Sequence, residues 1–401
     1  MKRGDLFFFN SLFLSRLSDQ LLLFLVPLVV YKVTGSASIS GLAFFLETLP
    51  RFISFPISGI LCDFFSPLKL IRYSQRFRFI IIIVGLLGYQ FENSIYWLVA
   101  ISSFTGIATS FGMMSRELIL PQVFNTNIGK YEKTLSYTSL SDQAGMVFGP
   151  LLASYLISMF SWQISILFSA ALFLISDLSI YIWKISLEIK IIPKNKGKIN
   201  FLNASKVSFL NIFKLPGLFP SIILAICINF ILGTTLATMA PIFIGHFNQT
   251  NYAYGLLQSL GAVSTIVVLL LVVKKSIPLI LLGILGFSFM SLGALLTSFS
   301  QEYIIYSIGF LLILGFDKMF NVFLRSLRAR VIPIKDLGKT TGFIILLNNI
   351  AQPLSGLLVA VYSTQTSPQN IVFIVSILCI TIGLSVLFYL FFKNGRQLIS
   401  L

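Results

Sequence analysis

The sequence predicts an all-α, polytopic membrane protein of about twelve transmembrane helices in two six-helix halves. Three observations predict it. Apolar runs recur about every 30 residues between Leu6 and Phe392, and about 20 apolar residues suffice to cross a bilayer. Hydrophobic residues make up 56% of the 401-residue chain and charged residues 10%, where a soluble domain carries about 25% charged. Lys and Arg crowd into alternate gaps between the runs, so that 25 of the 29 basic residues are expected on or near one side. Positive loops stay in the cytoplasm, which places both termini there, in a bacterial inner membrane.

Taken in order, the first run spans residues 6–30 and follows Met1-Lys2-Arg3 as a signal peptide would. It is too long and lacks a small-residue cleavage site, so it is expected to remain as helix 1. The outer turns fall at residues 31–39, 89–95, 158–163, 246–252, 298–303 and 362–369, and Lys32 is the only basic residue in them. Between helices 6 and 7 lies the longest polar interval, with Lys190, Lys194, Lys196, Lys198, Lys206 and Lys214. It divides the chain into a first half at 1–187, a basic cytoplasmic linker at 188–215 and a second half at 216–401. Within it, residues 201–210 have the pattern of a short amphipathic surface helix. Twelve spans consume about 240 to 300 residues, leaving no room for a soluble catalytic domain.

The net charge of +16 is spread over many short loops. It therefore fits the lipid bilayer, with its anionic cytoplasmic leaflet, and not nucleic acid. Cys62, Cys227 and Cys379 are far apart inside apolar runs, without disulfide or metal-ligand spacing. His246 is the only histidine. With no nucleophile elbow, no metal cluster and no phosphate loop, no enzyme activity, catalytic residue, metal or cofactor is expected.

Ionisable residues inside the spans carry the functional signal, because each costs several kcal/mol at mid-bilayer. Arg16 lies about 15 Å along helix 1, with Asp19 one turn further on the same face. Glu47 and Arg51 share a face of helix 2 at i and i+4. These four are expected to cluster: Asp19 and Glu47 as proton-coupling acids, Arg16 and Arg51 as binders of an anionic cargo, with a fixed charge network as the structural alternative. Helix 10 repeats the theme with Asp317 as a proton site and Lys318 as an anion site. Asp142 in helix 5 is a weaker proton candidate, and Asp177 sits on a helix expected to be peripheral. Asn229, Asn321 and Asn349 offer neutral groups to orient a ligand, along with Asn348 and Gln352.

Short motifs then tie the pattern to a family. Gly59-Ile60-Leu61-Cys62-Asp63 opens the helix 2–3 turn, and Gly145-Met146-Val147-Phe148-Gly149-Pro150 lies in helix 5. Ser15-Arg16-Leu17-Ser18-Asp19, Tyr31-Lys32-Val33-Thr34-Gly35-Ser36, Leu49-Pro50, Leu120-Pro121 and Arg330-Val331-Ile332-Pro333 with Asp336 and Gly338 complete the set. Together they resemble the major facilitator superfamily, in the branch of drug and siderophore exporters that includes enterobactin and macrolide efflux proteins. The resemblance implies two parallel six-helix repeats with a midplane site. It also implies a cytoplasmic gate of Gly59, Asp63 and Arg116. Gly145, Gly149 and Pro150 resemble the exporters' helix-5 motif, although Gly-x-x-x-Gly also serves plain helix packing. The usual Arg, Gly and basic pair after Asp63 are replaced by Phe64, Ser66, Pro67 and Leu68.

The expected function is a monomeric secondary transporter that exports an amphipathic, anionic small-molecule substrate, siderophore-like or drug-like, in exchange for protons. The alternatives are proton-coupled or facilitated uptake of a similar solute, a lysophospholipid flippase, or a non-transporting sensor of the same fold.

Overall fold

The computed structural model describes residues 4–92, 94–124, 128–187, 212–215, 217–275, 278–332 and 334–399, and some side chains within the helices lie outside the described residues. The chain is a series of long helices: α1 (Asp5–Thr34), α2 (Ala37–Phe64), α3 (Pro67–Glu92), α4 (Tyr96–Phe124), α5 (Ile128–Met159), α6 (Trp162–Ser186), α7 (Leu218–Ala240), α8 (Asn251–Lys275), α9 (Leu279–Phe299), α10 (Tyr303–Val331), α11 (Ile334–Asn349), α12 (Ala351–Tyr362) and α13 (Pro368–Ile399). Among the described residues nine segments are long and apolar enough to cross a membrane, with α11 and α12 contributing to one of them. The helices outside that set are α2, α3 and α5, whose sequences carry Glu47 and Arg51, four cations from Lys69 to Arg78, and a polar stretch around Asp142. This is the fold class the hydropathy pattern predicts.

Proline shapes several helix boundaries. Pro241 follows α7 and opens a π turn, Pro241–His246, closed by the Phe247 amide donating to the Ile242 carbonyl at 3.0 Å. Pro353, with no amide proton to give, lies in the first turn of α12, where α11 ends and the ladder restarts. Gly217 precedes α7 at φ 75°, a left-handed conformation that suits glycine.

The chain forms two compact units. Unit 1 comprises Met1–Thr34, Leu46–Gly197 and Thr250–Ser259; unit 2 comprises Gly35–Phe45, Lys198–Gln249 and Leu260–Leu401. In unit 1, α1 packs on α5 and α6, and α3 packs on α4 and α6. Phe8, Leu12, Ile71, Leu120, Ile180 and Trp183 form an apolar cluster there. Next to it, serines let helices approach and bond: Ser11 to Ser176 at 2.8 Å, Gln75 to Ser176 at 3.0 Å, and Ser18 to the Ser169 carbonyl at 2.9 Å. The start of α8 belongs to this unit, where Gly255 faces the Pro150 carbonyl; a Cβ at Gly255 would stand 2.8 Å from that oxygen.

Unit 2 is built on α7, which packs against α12 and α13, and on the α9–α10 pair. Its core includes Leu224, Ile228, Phe287, Met290, Ile313 and Phe320. Gly293 and Gly309 bring the α9 and α10 backbones together, since a Cβ on either would sit 2.6 or 2.7 Å from the other's carbonyl oxygen. The first turns of α2 join this unit: Ser38 donates to the Ala360 carbonyl, and Gly41 and Gly356 face one another's backbone. The compact units therefore differ from the two sequence halves by these exchanged helix starts.

Candidate functional site: charges buried in the helices

The centre of unit 1 is a buried ion pair. Asp19 of α1 and Arg78 of α3 are 4% and 0% exposed, and Arg78 Nη1 lies 3.4 Å from Asp19 Oδ1. Thr109 of α4 donates to the same carboxylate oxygen at 3.0 Å. Arg78 Nη1 also donates to Ser15 Oγ at 3.1 Å and to Gln75 Oε1 at 3.3 Å, and its guanidinium lies 4.8 Å from the Phe173 ring centre. Helical spacing explains these partners: Ser15 and Asp19 are one turn apart on α1, and Gln75 and Arg78 one turn apart on α3. Gly112 of α4 makes room, because a Cβ there would stand 3.1 Å from Arg78 Nη2.

Asp19, expected to cluster with Arg16, Glu47 and Arg51, pairs with Arg78 of α3. Arg16 turns towards α5 instead, where a Cβ on Gly145 would meet its Cβ and Cγ at 2.8 Å, and its buried Nε has no hydrogen-bond partner. Residues three apart on a helix share a face only broadly, so Ser15 and Asp19 look towards α3 while Arg16 looks away. Arg78 was also expected among the charges on the basic side. It lies twelve residues into α3, about 17 Å from the helix start, and is fully buried.

Glu47 of α2 is fully buried, and neither of its carboxylate oxygens has a hydrogen-bond partner. Arg51, one turn along the helix, and Ser102 of α4 are polar residues beside it. Tyr254, at the start of α8, feels the same carboxylate. Arg51 lies along Gly106 of α4, and both Arg51 and Arg116 are close enough to act electrostatically on Arg78. Among the described residues, cations thus outnumber acids in this part of unit 1. Asp142 is half-buried on α5. Gly149 packs on α1, where a Cβ would meet the Gln20 Cβ at 2.5 Å, and Pro150 is buried next to it. Of the expected gate, Arg116 is buried in α4, eight residues before its end at Phe124, while the side chains of Gly59 and Asp63 lie outside the described residues, as do those of Arg330, Pro333, Asp336 and Gly338.

Unit 2 has a self-contained group on α10. Asp317 is 2% exposed; Lys318 Nζ lies 2.8 Å from its Oδ2, and Asn321 Nδ2 donates to its Oδ1 at 2.9 Å. Asn229 of α7 accepts from Gln352 of α12 at 2.8 Å and donates to the Ala225 carbonyl at 2.9 Å. Gly233 lets the two helices meet, since a Cβ there would be 2.8 Å from the Gln352 Cα. Asn349 donates to the Ile345 carbonyl at 2.8 Å, and the buried Asn348 Oδ1 has no partner.

Sequence reasoning missed Arg78, Thr109 and Gln75. One signal was available: Arg78 is the last cation before the uninterrupted run 79–87, at a helix depth close to that of Asp19.

No curated protein sequence matches the chain. Among solved structures it resembles a POT family transporter in complex with 5-aminolevulinic acid (TM-score 0.75, 13% identity, 97% of this chain and 96% of that one). It also resembles the nucleoside transporter NupG (TM-score 0.71, 13% identity, 94% and 98%) and a bacterial homologue of the iron transporter ferroportin in an inward-facing state (TM-score 0.69, 15% identity, 96% and 98%). At these identities the likeness is one of fold. The family model described as Major Facilitator Superfamily matches residues 8–324. With its apolar helices, its buried intramembrane charges and this match, the chain belongs to the Major Facilitator Superfamily and is a multi-pass membrane transporter.

Proposed function

We propose that this transporter exports an amphipathic, anionic organic compound, siderophore-like or drug-like, across a bacterial inner membrane by proton antiport, as a monomer with cytoplasmic termini. The observation that carries the reading is the cationic excess among the described residues around the buried pair of unit 1, where Arg16, Arg51 and Arg78 stand against Asp19 and Glu47. A guanidinium without an anion is costly inside an apolar span, so an acidic group on the cargo supplies the missing charge. In this reading Arg16, Arg51 and Lys318 bind the anion, and Asn229, Asn321 and Asn349 orient the remainder. Asp19, Glu47, Asp317 and Asp142 are the acids from which the proton site is drawn, and protonation returns the empty carrier. Gly59, Asp63 and Arg116 form the cytoplasmic gate, and the Gly145–Gly149–Pro150 motif favours export.

A second reading, uptake by proton symport, is favoured by the position of Glu47 one turn from Arg51. A proton on Glu47 frees Arg51 for an external anion, so proton and anion raise each other's affinity. Cooperative binding of this kind drives symport. Gene deletion separates the readings, with small molecules compared in cells and medium under iron limitation and iron plenty. A compound trapped inside deletion cells and missing outside supports export; a secreted compound left in the medium turns the direction round. If neither pool changes and reconstituted protein moves no organic anion under a pH gradient, the proposal fails.

A further inference from the structure

The face of unit 1 formed by α3 and α6 carries a second group of cations, separate from the buried cluster. Lys69, Arg72 and Arg76 recur at i, i+3 and i+7 on α3, while Asp177, Tyr181 and Lys184 recur at i, i+4 and i+7 on α6. Arg72 Nε lies 2.8 Å from Asp177 Oδ1 and Arg76 Nε lies 2.9 Å from Asp177 Oδ2. The Arg72 guanidinium also sits over the Tyr181 ring, 4.4 Å from its centre. These contacts make the helices antiparallel, with matched depths. At 1.5 Å per residue, Lys69 and Lys184 lie about 3 Å from their helix ends, Arg72 and Tyr181 about 8 Å, and Arg76 and Asp177 about 14 Å.

The seam is open to its surroundings. The Arg76 side chain is 48% exposed, Lys69 and Lys184 are exposed, and Asp177 is buried behind them. Exposed Tyr73, Phe77 and Ile80 on α3 and Ile182 and Ile185 on α6 flank the charges with apolar surface. Two of the four cations thus hold the one described acid of the seam, Asp177, and that acid fixes their guanidiniums in place, while Lys69 and Lys184 stand nearer the helix ends. A soluble anion has no use for the apolar flanks, whereas a lipid uses both parts. We infer that this seam binds the headgroup phosphate of an anionic phospholipid, at the level of Lys69, Lys184 and Arg72, with its acyl chains along the flanking residues. Asp177 is the positioning residue, holding the arginines towards the phosphate.

The test is native mass spectrometry of the full chain in detergent with equimolar phosphatidylglycerol and phosphatidylcholine of identical acyl chains. The wild type retains phosphatidylglycerol preferentially. Lys69→Gln with Lys184→Gln lowers that preference by about fivefold per cation removed, and both positions are exposed, so folding is preserved. Arg76→Lys keeps the preference and Arg76→Gln lowers it. The inference is overturned by equal retention of the two lipids by the wild type or by an unchanged preference in the double variant. Displacement of the lipid by inorganic phosphate at the same concentration also overturns it, because the seam would then read phosphate alone.

Discussion

Replacing Arg78 by Met tests whether the buried pair in unit 1 acts as a unit. Arg78 and Asp19 are almost wholly shielded from solvent and 3.4 Å apart. At an effective dielectric of about 20, unit charges at that distance attract by about 5 kcal/mol, before the cost of desolvating them. Removing one partner leaves the other charge stranded and costs about 3–5 kcal/mol. Arg78→Met leaves Asp19 with the Thr109 hydroxyl alone, and Asp19→Leu leaves the guanidinium with neutral Ser15 and Gln75. Each single variant is expected to melt lower by roughly 6–10 °C, taking roughly 2 °C per kcal/mol. The double variant removes both charges and is expected to recover most of one loss, giving a coupling of about 3 kcal/mol. The assay is thermal unfolding in detergent of all four proteins at one heating rate. Additive losses, to within about 0.5 kcal/mol, would falsify the pairing.

Further outcomes follow from the same contacts. Gly145→Ala places a methyl 2.8 Å from the Arg16 side chain and 3.0 Å from the Leu17 amide nitrogen; it should cost about 1–3 kcal/mol by overpacking. Gly112→Ala brings a methyl 3.1 Å from Nη2 of the buried, paired Arg78 and should also lower the melting temperature; an unchanged melt in both variants would show that the helices do not pack this closely. Gln352→Leu removes the donor to the buried Asn229 and should lower stability by about 1–3 kcal/mol; an unchanged melt would mean that this contact is not made. For transport, Asp19→Asn and Asp317→Asn are expected to reduce pH-driven flux in proteoliposomes, and full flux in both rules them out as proton sites. Arg16→Gln is expected to weaken apparent affinity for an anionic cargo, and unchanged affinity removes its binding role.

The sequence by itself determined the class of the molecule and the depth of its charges. Apolar runs of bilayer length and alternating basic gaps specify a polytopic helical protein, because an unpaired backbone cannot cross hydrocarbon. Helical rise then locates Arg16, Asp19, Glu47, Asp317 and Lys318 well inside their spans. What it did not decide was company. Periodicity gives a residue a depth and a face but says nothing of which helix stands opposite, so Asp19 was expected to cluster with Arg16, Glu47 and Arg51, and Asp177 to sit on a peripheral helix. The fold brings α3 against both α1 and α6, giving Asp19 to Arg78 and Asp177 to Arg72 and Arg76. The exchange of the first turns of α2 and α8 between the units was equally invisible, because it rests on glycines meeting backbone across helices far apart in the chain. In lipid most spans are largely apolar all round, so hydrophobic pattern cannot choose their neighbours. Small residues and buried charges choose them, and those contacts exist only once the helices are packed.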